Sequence, residues 1–488
     1  MTFEATRRHI LGFGAAGIAA ALLAPERLLA AEVPADWRLG VADVEGDVSP
    51  RAMSLVEGRA PARLSGVLYR NGPAKFRRAG GAAGHWFDGD GLIRRFAIRD
   101  GHASLSARFA STAKRQIESS ADAMILPGFG TQPGVGATLA SGDDANAANT
   151  SVMMAGNELW ALWEAGSPMR LDPETLVSRG FKSFRDDLAH MPFLAHPRIE
   201  PDGRVWNLGL SGKHAILWQL APGGALARTD MIELPRASYI HDFTATARHI
   251  VIVLQPWVQV RDALPVIAGL AWQPELGTQV LVIDKNDVTK RRIFELPAFS
   301  FFHLADAWEE PDGTIRFDGC IEENPKFGMV AAVDLIAGRY SPAPLPVLAM
   351  IALRPDGRAT LSPTRIGAEF PRSDARRAGA PRRHTLHAAL YGRARPMARG
   401  IAMFDWKSGK DDCFDFGADH LVEEFLFTAR GDGERDGWII GTSVNLAAKA
   451  TELHILDAAN VAAGPVATWR ADLALPVGFH GTFVRDAA

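Results

Sequence analysis

Four of the chain's 14 histidines sit in settings that suggest chemistry. They are His196 in Leu194-Ala195-His196-Pro197, His241 in Tyr239-Ile240-His241-Asp242-Phe243, His303 in Phe301-Phe302-His303-Leu304, and His480 in Gly478-Phe479-His480-Gly481. Each follows an apolar or aromatic approach, whereas His102, His214 and His249 occupy ordinary strand or loop contexts. A neutral imidazole is a good ligand for Fe, Cu, Zn or Ni. Four of them around an octahedral ion leave two positions open, room for dioxygen or for a substrate. Two other motifs carry less. Asp88-Gly89-Asp90-Gly91 resembles the start of a calcium loop but lacks the later ligands, so it reads as a tight hairpin. The glycine-rich stretch 128–136 has no strand–helix phosphate cradle around it, which argues against nucleotide binding.

The elements available to position these histidines are short strands. Val67-Leu68-Tyr69, 92–98, 204–208, 250–254, 279–283, 438–440 and 453–456 are apolar or alternating runs. Most are bounded by Asp-Gly, Gly-Asn or Pro-Asp-Gly turns. Beyond the N-terminal segment, only 374–380, stopped by Pro381, suggests a helix. The fold class is therefore all-β. A chain with so many strands must hide its sheet edges, and a propeller of about seven four-stranded blades suits the length. The histidines lie 45, 62 and then 177 residues apart. Residues a whole number of blades apart occupy equivalent inner strands and can converge on one axis.

The bulk numbers narrow the function. Hydrophobic residues make up 47% of the 488, enough for a sizeable core, and the net charge of −3 gives no reason to expect nucleic acid. Phe (25) and Trp (12) far outnumber Tyr (4), which suits an apolar pocket. Cys320 and Cys413 match no metal spacing; one bridge or two free buried thiols are both open. Arg7-Arg8 ahead of the apolar run 12–24 describes a twin-arginine signal peptide over residues 1–35, with 36–488 as a single exported, periplasmic domain. Two apolar loop runs, Met124-Ile125-Leu126-Pro127 with Phe129 and Leu264-Pro265-Val266-Ile267 with Leu270, would form a peripheral membrane contact if gathered on one face.

From Leu68 to Val484 the sequence resembles the carotenoid cleavage oxygenase family. The resemblance is carried by Tyr69-Arg70-Asn71-Gly72-Pro73, His85-Trp86-Phe87-Asp88-Gly89-Asp90-Gly91, Asn149-Thr150, Leu162-Trp163-Glu164-Ala165-Gly166, the four histidine motifs and Trp272-Gln273-Pro274-Glu275-Leu276-Gly277-Thr278, in family order. It implies a seven-bladed β-propeller with a loop and helical dome over an axial Fe(2+) held by His196, His241, His303 and His480. It further implies that Glu164, Glu369 and Glu424 support three of these ligands, and that the Thr150 methyl crowds one open iron position. An imidazole bound through one nitrogen donates its other N–H, and a carboxylate acceptor fixes the ring. Glu424 is preceded by Glu423, and Phe425 stands where the family has proline. Asp306 replaces a usual asparagine. The implied activity is dioxygenase cleavage of a C=C bond in an apolar, conjugated carotenoid or apocarotenoid, with O2 as co-substrate. Stilbene cleavage by the same iron centre is the nearest alternative, toward which only Lys114 leans, by meeting a phenolate or carboxylate; an exposed lysine is its plainer reading. A non-catalytic ligand-binding propeller is the third.

Overall fold

The computed structural model describes residues 37–391 and 397–486. Residues 1–35, where the sequence suggests a signal peptide, lie outside the described residues. Seven consecutive four-stranded antiparallel units account for most of the chain. Unit I joins the C-terminal strand Gly481–Arg485 to Gly66–Arg70, Leu92–Arg99 and His102–Phe109. Units II, III and IV begin with Ser151–Ala155, Arg198–Ile199 and Thr244–Ala245. Unit V begins with Ser300–Leu304 and unit VII with His420–Ala429. One long strand, Ala359–Arg372, ends unit V and continues as the first strand of unit VI. Pairing of Gly66–Arg70 with Gly481–Arg485 ties the two ends of the chain into one sheet. The strand Val48–Gly58 lies between units VII and I, pairing with both.

The core shows why these strands close into a ring. In Ile250–Leu254 successive side chains face opposite ways: Ile250, Ile252 and Leu254 pack toward unit III, while Val251 and Val253 pack toward unit V. The same alternation gives a separate apolar cluster at each junction. Trp160 meets Trp218 between II and III, Leu348 meets Phe404 between V and VI, and Ile401 meets Ile439 between VI and VII. Phe96 and Trp469 close the junction between VII and I, and Tyr69 with Leu159 that between I and II. A seven-bladed propeller with both faces of every sheet buried explains why so many strands read as continuous apolar runs rather than alternating ones.

In an antiparallel meander, the loops entering each first strand and those leaving each second strand emerge on the same face. The long ones here, 110–150, 255–277 and 323–346, build a dome over one end of the axis. The dome holds two short helical elements that the sequence reading did not assign. Ala113–Ala121 starts at Thr112, whose side chain accepts the Arg115 N–H. A π-helical turn, Phe327–Ala331, runs into Ala332–Ile336. Conversely, the helix expected over 374–380 is only a single 3₁₀ turn, Ala375–Arg377, N-capped by the Asp374 side chain accepting the Arg376 N–H.

Two further expectations are corrected. Asp88-Gly89-Asp90-Gly91 is not a hairpin: Trp86–Asp88 forms a 3₁₀ turn. The Asp88 carboxylate accepts the N–H groups of Phe129, Gly130 and Thr131 at 2.6, 2.9 and 2.7 Å. It is a clamp on the dome loop. Lys114 is neither exposed nor aimed at a substrate; it is 1% exposed and bound to Asp90 and Glu118. The cysteines are both free, Cys320 buried and Cys413 exposed. Among the described residues, no helix is long and apolar enough to cross a membrane.

Candidate metal centre

The first strands of the seven units deliver one residue each to the axis. Thr150 immediately precedes the first strand of unit II, His196 and His241 stand just before those of III and IV, and His303 lies within that of V. Glu369 and Glu424 sit on those of VI and VII, and His480 directly precedes that of I. Glu164 is the exception, entering from the end of the second strand of unit II, which opens on the same face. Backbone irregularities aim several of these side chains. The pairing shifts register between Phe301 and Leu304, between Glu369 and Arg372, and between Val422 and Phe425. Bulges commonly re-aim side chains at sites in this way. Phe370 is left-handed (φ 53°), a costly conformation for an aromatic residue held here by the surrounding ring.

The four histidines converge. Their ligand atoms all lie within 4.8 Å of one another, and all four residues are buried or nearly so. The Nε2 atoms of His196 and His241 are 3.0 Å apart. Three rings are fixed from behind through Nδ1. His241 donates to Glu164, His303 to Glu369 Oε2 at 2.5 Å, and His480 to Glu424 Oε1 at 3.0 Å. A ring whose Nδ1–H is committed outward presents its Nε2 lone pair inward. Consistent with that, His303 Nε2 is buried without any hydrogen-bond partner among the described residues. Burial, followed by the neighbouring imidazoles, holds His196 far below the usual histidine pKa. Burial also brings His480 down to about 3 despite Glu424. For His241, burial is outweighed by Glu164, and its pKa rises. Four converging imidazoles, one with an orphaned donor nitrogen, fit a metal ion.

The supporting carboxylates are themselves held. Tyr239 donates its hydroxyl to both oxygens of Glu164 at 3.1 Å. Glu424 accepts from Arg372 at 2.6 Å, Arg70 at 3.2 Å and the Gly481 N–H at 2.9 Å. Burial would raise the Glu424 pKa, but Arg372, His480 and Arg70 drive it well below the usual carboxylate range. The neighbouring Glu423 takes a separate task, pairing Arg70 and Arg94. The bulge at 422–425 is what allows both carboxylates to be buried, since adjacent strand residues otherwise face opposite ways. The sequence points to no role for Arg70, Arg372 or Tyr239, although Arg70 and Tyr239 lie inside motifs given above.

Above the histidines, under the dome, is a cavity of about 390 Å³ with His241, His303 and His480 in its wall. Its lining is mainly apolar: Phe87, Phe129, Trp163, Phe302, Phe327 and Phe479, with Thr150 beside the centre. Thr150 donates its hydroxyl to Asn149 Oδ1 at 3.0 Å, leaving the methyl as its remaining group, and its carbonyl accepts the His480 N–H at 3.3 Å. A second cavity of about 230 Å³ reaches His196, His303 and His480 along the inner strands, between Arg198, Asp242, Asp306 and Arg372. Asp306 there accepts from Arg198 and from Ser373 at 3.4 and 2.6 Å.

The family model described as retinal pigment epithelial membrane protein matches residues 41–485. The chain belongs to this family. Within it, the chain is 29% identical to the apocarotenoid-15,15'-oxygenase of Synechocystis sp. over 93% of this chain and 94% of that one. It is 27% identical to the lignostilbene-alpha,beta-dioxygenase isozyme III of Sphingomonas paucimobilis, covering 90% and 94%. Among solved structures, the cobalt-substituted Synechocystis apocarotenoid oxygenase superposes with a TM-score of 0.82 at 25% identity, covering 93% of this chain and all of that one (100%). In this member of the retinal pigment epithelial membrane protein family, all four histidines and all three outward carboxylates are in place.

Proposed function

We propose that this chain is an Fe(2+)-dependent dioxygenase that splits a C=C bond of a carotenoid or apocarotenoid into two carbonyl products. The observation that carries the reading is the floor of the apolar cavity, where His241, His303 and His480 converge with His196 behind them and no charged ligand joins the four. Among its relatives' names, an apocarotenoid oxygenase supports this substrate class, while a lignostilbene dioxygenase supports the stilbene alternative. His196, His241, His303 and His480 would hold the iron, which when bound supplies activation of dioxygen. Glu164, Glu369 and Glu424 orient three of the rings. Phe87, Phe302 and Phe479 exclude water and hold a conjugated chain in one register, so that a single bond faces the centre. The Thr150 methyl narrows the approach. No protein nucleophile is needed, since each product carbon receives one oxygen atom from the same dioxygen molecule. Incubation of iron-loaded protein with carotenoids, apocarotenals and hydroxystilbenes under labelled dioxygen, with rapid trapping, should put label in both carbonyl products. Label in one product only, with exchange controlled, refutes dioxygenase cleavage. Stilbene cleavage loses the one residue that leaned toward it, because Lys114 is consumed in ion pairs.

The cavity also has a membrane-facing candidate at its mouth. The two apolar loops are tied together, Val266 and Ile267 donating to the carbonyls of Gly128 and Phe129 at 3.2 and 2.9 Å. Met124, Leu126 and Phe129 are buried, but Leu264 and Val266 are 51% and 40% exposed and also line the cavity. An apolar rim at the entrance suits an enzyme that draws water-insoluble polyenes from a bilayer. Leu264→Asp with Val266→Asp should weaken co-sedimentation with liposomes severalfold at unchanged melting temperature. Unchanged co-sedimentation removes this rim from any membrane contact.

A further inference from the structure

One polar group in the apolar cavity has no task in the metal centre. Glu322 ends the strand Ile315–Glu322, the second of unit V, and lines the cavity together with Glu369 and Phe327. It is 3% exposed, and its Oε2 is buried with no hydrogen-bond partner among the described residues. Every other acidic side chain in that wall is committed: Glu164 to Tyr239 and His241, Glu369 to His303 and the Phe370 N–H. A buried polar atom left unpaired calls for an explanation, and one that faces a cavity is placed to meet a ligand. Burial first, and the Glu369 carboxylate second, push the Glu322 pKa well above the usual carboxylate range. That direction favours the neutral carboxylic acid, which has one O–H to donate and a carbonyl oxygen to accept. In a mainly apolar wall, such a group fixes the register of a long apolar molecule at one polar point.

We infer that Glu322 is a specificity-determining residue that hydrogen-bonds a hydroxyl or carbonyl oxygen carried by the substrate. The inference rests on the reading of this cavity as the substrate site, and it narrows the substrate class to oxygenated polyenes or hydroxylated arenes rather than plain hydrocarbons. A site built to hydrogen-bond an oxygen discriminates strongly against the analogue lacking it, because its own polar group is then stranded.

The test uses matched probes: an apocarotenal with its deoxygenated polyene, and a hydroxystilbene with the parent stilbene. Binding is read by quenching of tryptophan fluorescence, Trp86 and Trp163 both lining the cavity, and cleavage by kcat/KM. Glu322→Leu should lose about 10–100-fold in affinity and kcat/KM for an oxygenated probe while sparing its hydrocarbon partner. Glu322→Gln, which keeps an N–H donor, should retain most of the discrimination. Glu322→Met replaces the leucine variant if that one does not fold. Equal losses for both members of each pair, or none, overturn the inference. Selective binding of oxygenated probes that depends on Glu322, without any cleavage, would sustain it while removing the dioxygenase reading. Cleavage with wild-type selectivity in the leucine variant would do the reverse.

Discussion

His303→Ala should leave the purified protein without iron and without alkene-cleaving activity, while its far-ultraviolet circular dichroism stays that of the wild type. The wild type should carry about one iron per chain if four imidazoles complete its protein ligand set. His303 is the sharpest position for the test because its Nε2 has no other use: it is buried, unpartnered and within 4.8 Å of the other three donors. Alanine removes that donor and also strips Glu369 of its histidine, leaving the carboxylate its contact to the Phe370 N–H at 2.7 Å. Losing a supporting carboxylate typically lowers metal affinity or activity by about 10–100-fold, so loss of the ligand itself should exceed about 100-fold. Glu369→Gln supplies the graded control: it keeps an acceptor oxygen for His303 but removes the charge, and should fall within that 10–100-fold range. Elemental analysis alongside turnover separates the cases. An iron-replete His303→Ala protein, or a wild type that holds only zinc with no iron-dependent activity, excludes the four-histidine iron centre.

The two levels of this centre were legible in the sequence to different degrees. The ligands showed because a propeller repeats: each histidine sits at the same place in its unit, before or within a first strand, and so leaves a spacing and a shared apolar approach. The carboxylates are less regular, although Glu369 and Glu424 share that place on the first strands of units VI and VII. Glu164 enters from the end of a second strand, and Glu423 and Glu424 both turn inward only because the strand bulges between Val422 and Phe425. Strict alternation would have put one of them outside, which is why the pair looked ambiguous. The strands were readable because both faces of each sheet are buried, which writes continuous apolar runs into the chain. The dome was not, since its order comes from polar clamps across long sequence distances, such as Asp88 gripping residues 129–131. In isolation Asp88-Gly89-Asp90-Gly91 has the composition of a turn, and Ala113-Lys114 that of a surface segment. Only the closed fold brings Asp90 within reach of three cations.

Lys114→Ala should destabilise the protein by about 3–5 kcal/mol, the cost typical of breaking a buried ion pair from one side, without changing its preference between phenolic and non-phenolic substrates. The Lys114 ammonium lies 2.6 Å from Glu118 Oε2 and 3.3 Å from Asp90 Oδ1, and all three residues are essentially buried. Glu118 also accepts the N–H groups of Ile125 and Leu126 at 3.1 and 3.0 Å, so the cluster anchors the helix Ala113–Ala121 to the dome loop. Among the described residues, removing the lysine leaves Glu118 with no ion-pair partner and Asp90 with Arg78 and Arg115. The pH dependence follows from the directions of the shifts. Burial would raise the Asp90 pKa, but Lys114, Arg78 and Arg115 bring it below its ordinary 3.8. Its stabilising contribution is therefore present above that value and lost as pH falls through the folded pKa. Burial would lower the Lys114 pKa, but Asp90 and Glu118 raise it above its ordinary 10.5, so its contribution is complete below 10.5 and lost only at higher pH. Between these limits neither group titrates in either state. Denaturant unfolding should thus show a deficit in Lys114→Ala that is flat from about pH 6 to 9 and narrows in acid, where Asp90 takes up its proton. A variant as stable as the wild type, or one whose only defect is a raised KM for phenolic substrates, would return Lys114 to the substrate pocket.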